Sequence, residues 1–202
     1  MEKVSSENKT VYWGGPGIVV YSGDPCVLEF SRESSVSSVS VDGDLVAAGY
    51  IDGKVVVWSV SGKRKIAEFS RDMWLRSVAI DKNIVVSGTG RSVIAHDIAR
   101  KREIARYRHD GWVRSVAIQD DLVVSGADMT VCTWNVVANR KFRCFKGLER
   151  VSSVAIWDFR IAVGYRTGRI EVHDLRTGEV IARLIWLFAN REIFVKFIPE
   201  RT

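Results

Sequence analysis

His109, Ser125 and Asp128 fall within one short stretch of this 202-residue chain. They are the residue types of a general base, a nucleophile and an orienting carboxylate, the set that performs acyl transfer when the three converge. A catalytic histidine must be free to carry a proton, and the chain holds only His96, His109 and His173. All three recur at fixed positions of a repeated phrase, which assigns them to structure and predicts no catalytic residue. Cys26, Cys132 and Cys144 show no C-x-x-C spacing. They predict neither a zinc site nor a disulfide framework, but small buried hydrophobes in a reducing compartment. Gly14-Gly15-Pro16-Gly17 lacks the Gly-Lys-Ser/Thr ending of a phosphate loop and reads as a turn. Asp42-Gly43-Asp44 and Asp120-Asp121 supply too few oxygens at loop spacing for calcium. No metal or cofactor is expected.

The elements that would position such residues come from the repeat. Phrases of the type V-x-S-V-x-I begin at Val36, Leu75, Val113 and Val151, spaced by 39, 38 and 38 residues. A period of this size marks a solenoid, propeller or array. In the third unit, Val113–Ile118 is a β-branched run and Gln119-Asp120-Asp121 a polar turn. Leu122–Ser125, Thr130–Trp134 and Phe142–Phe145 follow as three more short strands. Val55-Val56-Val57, Val93-Ile94-Ala95 and Ile170-Glu171-Val172 are mostly apolar at consecutive positions, so both faces of each sheet must be covered. Radial stacking of four-stranded antiparallel blades does this.

These residues resemble the repeat of the WD-repeat β-propellers. That repeat carries a Gly-His pair before its first strand, a V-x-S-V-x-F first strand, an Asp between strands two and three, and Trp-Asp ending strand three. His109, Ser125, Asp128 and Trp134 occupy the matching positions, and the resemblance implies a buried hydrogen-bonded chain from His109 to Asp128, joined by Ser125 and Trp134. Elsewhere the pattern is looser: Asp52 and Trp58 stand without a His, His96-Asp97 and His173-Asp174 stand in the Trp-Asp position, and Arg108 precedes His109. The expected fold is all-β, a single β-propeller domain over residues 1–202 with blades at 36–69, 75–107, 113–145 and 151–184. Residues 10–30 match strands two to four only, and 193–198 match a first strand. The expected ring is therefore five blades, closed by the C-terminal strand beside the N-terminal partial blade. The competing reading is a split propeller completed by a partner.

Charge then falls into rings. Turns between strands three and four carry Lys63, Arg64, Lys65, Arg100, Lys101, Arg102, Arg140, Lys141 and Arg176, a basic rim. Turns between strands one and two carry Asp42, Asp44, Asp81, Asp120, Asp121 and Asp158. Connections into strand one place Trp74, Arg76, Trp112, Arg114 and Arg150 at the mouth of the channel, on the opposite face. Aromatic and arginine side chains are enriched at binding hot spots, and in the resembled family this face commonly receives peptides and proteins. The net charge is +6 and the pI about 9.4, which favours acidic partners. MEKVSSENKT lacks the apolar stretch of a secretory signal, and no run is long enough for a membrane helix. The expectation is an intracellular protein of the cytoplasm or nucleus. It would be a monomer if the ring closes, and a non-enzymatic scaffold for a protein or peptide partner. The alternative is a nucleic-acid-associated propeller that sets RNA phosphates on the basic rim.

Overall fold

A computed structural model describes residues 2–6, 9–15, 17–22, 27–31, 33–70, 73–147, 149–189 and 192–198, all of them strand, turn or connection. The first sheet contains β1 (Glu2–Ser6), β2 (Lys9–Gly14), β3 (Gly17–Ser22) and β4 (Val27–Ser31). The second contains β5 (Val36–Asp42), β6 (Leu45–Tyr50), β7 (Val55–Ser59) and β8 (Arg64–Phe69). The third contains β9 (Leu75–Asp81), β10 (Ile84–Thr89), β11 (Ser92–Asp97) and β12 (Arg102–Arg108). The fourth contains β13 (Val113–Gln119), β14 (Leu122–Ala127), β15 (Thr130–Asn135) and β16 (Arg140–Lys146). The fifth has five strands, β17 (Val151–Trp157), β18 (Arg160–Tyr165), β19 (Ile170–Asp174), β20 (Val180–Ala189) and β21 (Glu192–Ile198).

Every sheet is an antiparallel meander because its strands are short, β-branched and joined by tight hairpins. Strands one and two are joined by two-residue turns whose first residue has positive φ: Gly43, Lys82, Asp120 and Asp158. That backbone matches the twist of the flanking strands. First strands pack in series, β5 on β9, β9 on β13 and β13 on β17, so they form the inner edge of the array. The core is four apolar clusters, each between two consecutive sheets. One joins Val55, Val57 and Phe69 to Leu75, Val78 and Ile80; the next joins Val86, Val93 and Tyr107 to Val113, Val116 and Trp134. Each buried valine or leucine contributes roughly 1.5–3 kcal/mol, so it is the stacking of sheet on sheet that holds the fold.

Two expectations are corrected here. The N-terminal sheet has its own first strand: β1 pairs with β2, Glu2 opposite Trp13 through Ser6 opposite Lys9. Residues 193–198 do not join residues 10–30 but lie in β21, which pairs with β20, Leu184 opposite Phe197. The polar composition of Glu2–Ser6 hid a strand, and the apolar run of Val180–Ala189 is long enough to extend past the fourth-strand position and take a hairpin partner of its own. The cysteines are the other correction. Cys132 and Cys144 stand opposite each other on β15 and β16 and are joined by a disulfide. Their sequence separation of 12 arises from hairpin register, which spacing rules for compact motifs do not register. Cys26 lies outside the described residues.

Candidate interaction site at the axis

Each first strand carries a β-bulge. Pairing skips from Val36 to Ser38, from Leu75 to Ser77, from Val113 to Ser115 and from Val151 to Ser153. The skipped residues are Ser37, Arg76, Arg114 and Ser152. A bulge leaves one residue unpaired and re-aims its side chain, and here all four bulge residues line a single pocket of about 430 Å³ with Ile51, Trp74 and Arg166. Ser37 Oγ donates to the Gly49 carbonyl at 3.0 Å and Ser152 Oγ to the Gly164 carbonyl at 2.9 Å. The two arginines at equivalent places have no such tether.

Trp74 is 70% exposed beside the pocket. Arg76 lies 6.0 Å over the Trp112 ring, and Trp112 is 42% exposed. The pocket is therefore lined by three guanidiniums, Arg76, Arg114 and Arg166, and no carboxylate. Of the residues expected at this mouth, Trp74, Arg76 and Arg114 line the pocket, Trp112 stacks under Arg76, and Arg150 contributes its carbonyl to the Arg166 N–H at 3.0 Å. Arg166 was not expected there. Residues 38 and 76 positions earlier are Asp128 and Gly90, so the repeat gives no signal for a cation.

The resemblance-implied chain is built differently from its expectation. His109 Nε2 lies 2.7 Å from Ser125 Oγ, and the Trp134 indole N–H donates to the same oxygen at 2.6 Å. The indole can only donate, so Ser125 accepts from it, and its own proton fits the His109 side at 2.7 Å better than the Cys132 carbonyl at 3.4 Å. Burial pushes the His109 pKa down to about 4, which keeps the imidazole neutral. Asp128 is not the partner of His109. Its backbone has φ of 45°, its carboxylate lies against Gly111, and its carbonyl accepts from Val151 N–H at 2.6 Å. Ser125 is fully buried, and its oxygen is already committed to the indole, so a substrate carbonyl has no approach to this serine–histidine pair.

The basic rim is exposed throughout, but part of it is occupied. Arg100 pairs with Asp97 at 2.7 Å, where the Arg100 backbone N–H and then the guanidinium hold the Asp97 carboxyl down at about 2 against its burial. Lys65 pairs with Glu68 at 2.7 Å, Lys141 lies 5.9 Å over Trp134 and Arg176 4.4 Å over Phe159. Lys63, Arg64, Lys101, Arg102 and Arg140 carry no ion pair among the described residues. Two acidic turns staple neighbouring sheets, Asp42 accepting from Lys82 N–H at 2.5 Å and Asp81 from Asp120 N–H, while Asp44 accepts from Ser59 and Ser61 within its own sheet. A buried charge network in the fifth sheet had no sequence signal. Glu171 accepts from Tyr165 Oη at 2.7 Å and Arg183 Nε at 3.1 Å. Burial pushes its pKa up, but these bonds, with Arg169 and His173, leave it below the usual carboxylate value. Among the described residues no cluster of His, Cys, Asp or Glu is arranged to hold a metal ion, and no helix is long and apolar enough to cross a membrane.

Residues 24–59 and 101–135 match the family model of the WD domain, G-beta repeat. No curated protein matches the chain in sequence. Among solved structures, the computationally designed Ika8 protein superposes with a TM-score of 0.80 at 20% identity, over 96% of this chain and 66% of that one. A chain of the Mitotic Checkpoint Complex gives a TM-score of 0.76 at 16% identity, over 96% of this chain and 74% of that one. The computationally designed Ika4 protein gives 0.66 at 21% identity, over 72% of this chain and 94% of that one. At such identities the likeness is one of fold.

Proposed function

We propose, from two segments that match the WD repeat and a propeller fold that generally serves as a protein-interaction scaffold, that this chain is a non-enzymatic scaffold that holds an acidic protein or peptide segment at the axial pocket. The observation that carries this reading is the set of three guanidiniums, Arg76, Arg114 and Arg166, around one pocket beside an exposed Trp74. None of the three is ion-paired among the described residues, and like charges held together favour an incoming carboxylate that relieves their repulsion. An arginine fork binds a carboxylate bidentately, and Trp74 offers a flat apolar anchor of the kind that dominates interface energy. The bulges set where Arg76 and Arg114 leave the backbone, and Arg76 rests over the Trp112 ring at 6.0 Å, which lowers its ordering cost on binding.

The nucleic-acid reading would use the basic rim instead. Pairing of Arg100 and Lys65 with neighbouring carboxylates weakens it, since those charges are partly neutralised before any phosphate arrives. The test is a titration with two fluorescein-labelled peptides, one of Asp, Glu and a single Phe, the other with Lys in place of the acids, and with a labelled RNA oligonucleotide. The acidic peptide should bind, and Arg76→Glu with Arg114→Glu should weaken it at least tenfold with the β-rich circular dichroism unchanged. Equal binding by the folded double variant, or by the Lys peptide, would refute the reading. RNA binding that falls steeply with salt and with Arg64→Glu, but ignores the pocket variants, would put the rim in its place.

A further inference from the structure

We propose that the outward face of the fifth sheet is a docking surface for a further blade of this same repeat type, supplied from outside residues 1–202. This surface is separate from the axial pocket and does not depend on what that pocket binds. Consecutive sheets are locked by a repeated device. A glycine in each second strand leaves a socket, and the next sheet's first strand fills it: a Cβ on Gly49 would lie 2.0 Å from Leu75 Cδ2, on Gly88 2.7 Å from Val113 Cγ1, and on Gly126 2.5 Å from Val151 Cγ1. A serine in each first strand then accepts the N–H of the next sheet: Ser38 from Val78 at 3.0 Å, Ser77 from Val116 at 3.1 Å and Ser115 from Val154 at 3.1 Å.

The fifth sheet repeats both halves of the device, and among the described residues no neighbouring sheet fills them. Gly164 stands at the socket position, and the nearest atoms to a Cβ there belong to its own sheet: the Ser153 and Ser152 hydroxyls at 2.5 and 3.4 Å and the Ser153 carbonyl at 3.8 Å. Ser153 stands at the acceptor position, and it is exposed where Ser77 and Ser115 are half-buried. Ile170 and Val172 are half-buried where Val93, Ala95, Val131 and Thr133 are buried. The result is an open concavity of about 390 Å³ over Ser153, Ala155, Ala162, Gly164 and Ile170. The face keeps the small and apolar residues of an internal blade, and it continues an interface that the chain forms between its own sheets.

This chain's own first sheet does not offer the matching knob. Ser6 pairs with Lys9 as Asp42 pairs with Leu45, so counting back three residues puts Lys3 at the register position held by Val39, Val78, Val116 and Val154. A lysine is the wrong partner for an apolar socket. The similar designed chain is longer, and about a third of it has no counterpart in this chain. The occupant is thus a blade whose first strand reads (V/L)-x-S-V, with a β-branched or leucine knob for Gly164 and an N–H for Ser153.

The test uses the full chain with Ser153→Cys and reads alkylation by iodoacetamide at residue 153 by peptide mass spectrometry. The probe is a second copy of residues 109–147 appended after Thr202 through a Gly/Ser linker of about twelve residues, whose mean reach of roughly 19 Å covers the width of a sheet. Tethering raises the effective concentration enough to detect weak docking. The unextended chain should react at the rate of an exposed thiol, and the extended chain at least tenfold more slowly. Val113→Asp with Val116→Asp in the appended copy, or Gly164→Leu in the chain itself, should restore the fast rate. A thiol equally reactive with and without the appended blade overturns the proposal. So does protection in the unextended chain, independent of concentration if its own first sheet covers the face, or rising with concentration if a second copy does.

Discussion

Replacing Ser125 with Ala isolates the hub of the one complete hydrogen-bonded unit. Ser125 Oγ is the shared partner of the Trp134 indole N–H at 2.6 Å and of His109 Nε2 at 2.7 Å, with all three residues buried. Alanine leaves a donor and an acceptor unsatisfied, each costing roughly 1–3 kcal/mol. Partial relaxation puts the sum near 3 kcal/mol, which for a chain of this size lowers Tm by roughly 6–12 °C. The control is Asp128→Asn. It removes the carboxylate but keeps a residue type that tolerates the left-handed backbone at φ 45°, so the change should stay within about 0.5 kcal/mol. Urea midpoints of the two variants and the parent measure this directly. If Asp128→Asn destabilises as much as Ser125→Ala, the carboxylate is the partner of His109 after all, and the reasoning from its orientation fails.

Other outcomes follow from the same contacts. His109 is held neutral, with its pKa down at about 4 against about 6.5 unfolded, so the unfolded chain binds the extra proton. Stability is full above about pH 6.5 and falls as pH drops toward 4, by about 3 kcal/mol from this group; urea midpoints over that range should show a shallower loss in His109→Gln, and an identical slope would refute the assignment. Gly126→Val drives a side chain into Val151 and Val154 and should cost about 1–3 kcal/mol, whereas at Gly164 the tight contacts are the rotatable Ser153 and Ser152 hydroxyls, so Gly164→Val should leave Tm nearly unchanged. Thiol titration of the unfolded, unreduced protein should count one thiol, Cys26, and three after reduction. Cys144→Ser should cost about 3 kcal/mol for a loop of this length, and three thiols without reductant would remove the disulfide.

The strands of the four full units, their hairpins and their order were legible because the repeat states them four times over, in β-branched runs broken by turn residues. The axial residues Trp74, Arg76 and Arg114 were legible as a cluster because they flank the first residue of a first strand, the tryptophan just before it and the arginines just after it. What aims the arginines, the bulge after Leu75 and after Val113, was not, since a bulge is a property of pairing between two strands and leaves no mark on either alone. For the same reason Cys132 and Cys144 read as unrelated, and the serines of the first strands read as motif rather than as acceptors reaching the next sheet. Glu2–Ser6 was missed because a strand at the edge of the repeat series can be polar, and β21 was misplaced because an apolar run resembles a first strand wherever it sits.

The departures from the family's repeat make physical sense once the ring stacks are compared. Phe69 stacks on His96 at 4.1 Å, Tyr107 on Trp134 at 4.4 Å and Phe145 on His173 at 4.3 Å, each between the fourth strand of one sheet and the third strand of the next. A flat ring is the common requirement, and imidazole meets it as well as indole does. In the fourth sheet the indole N–H has a further role, because a hydroxyl and a histidine stand beside it. Trp134 donates to Ser125, but Ser87, one repeat earlier, makes only a 3.4 Å bond to the Ile94 carbonyl, and His96 replaces the tryptophan there. The stack is thus the part of the repeat that every one of these junctions keeps, and the hydrogen-bonded hub is an addition to the fourth sheet. On that reasoning Tyr107→Leu should weaken the junction between the third and fourth sheets even with the Ser125 hub intact, because it removes the ring facing Trp134 and the Tyr107 hydroxyl bond to the Asn135 carbonyl at 2.8 Å. Hydrogen exchange confined to β12 and β15 would report it, and unchanged protection in both strands would show that the hub, not the stack, holds that junction.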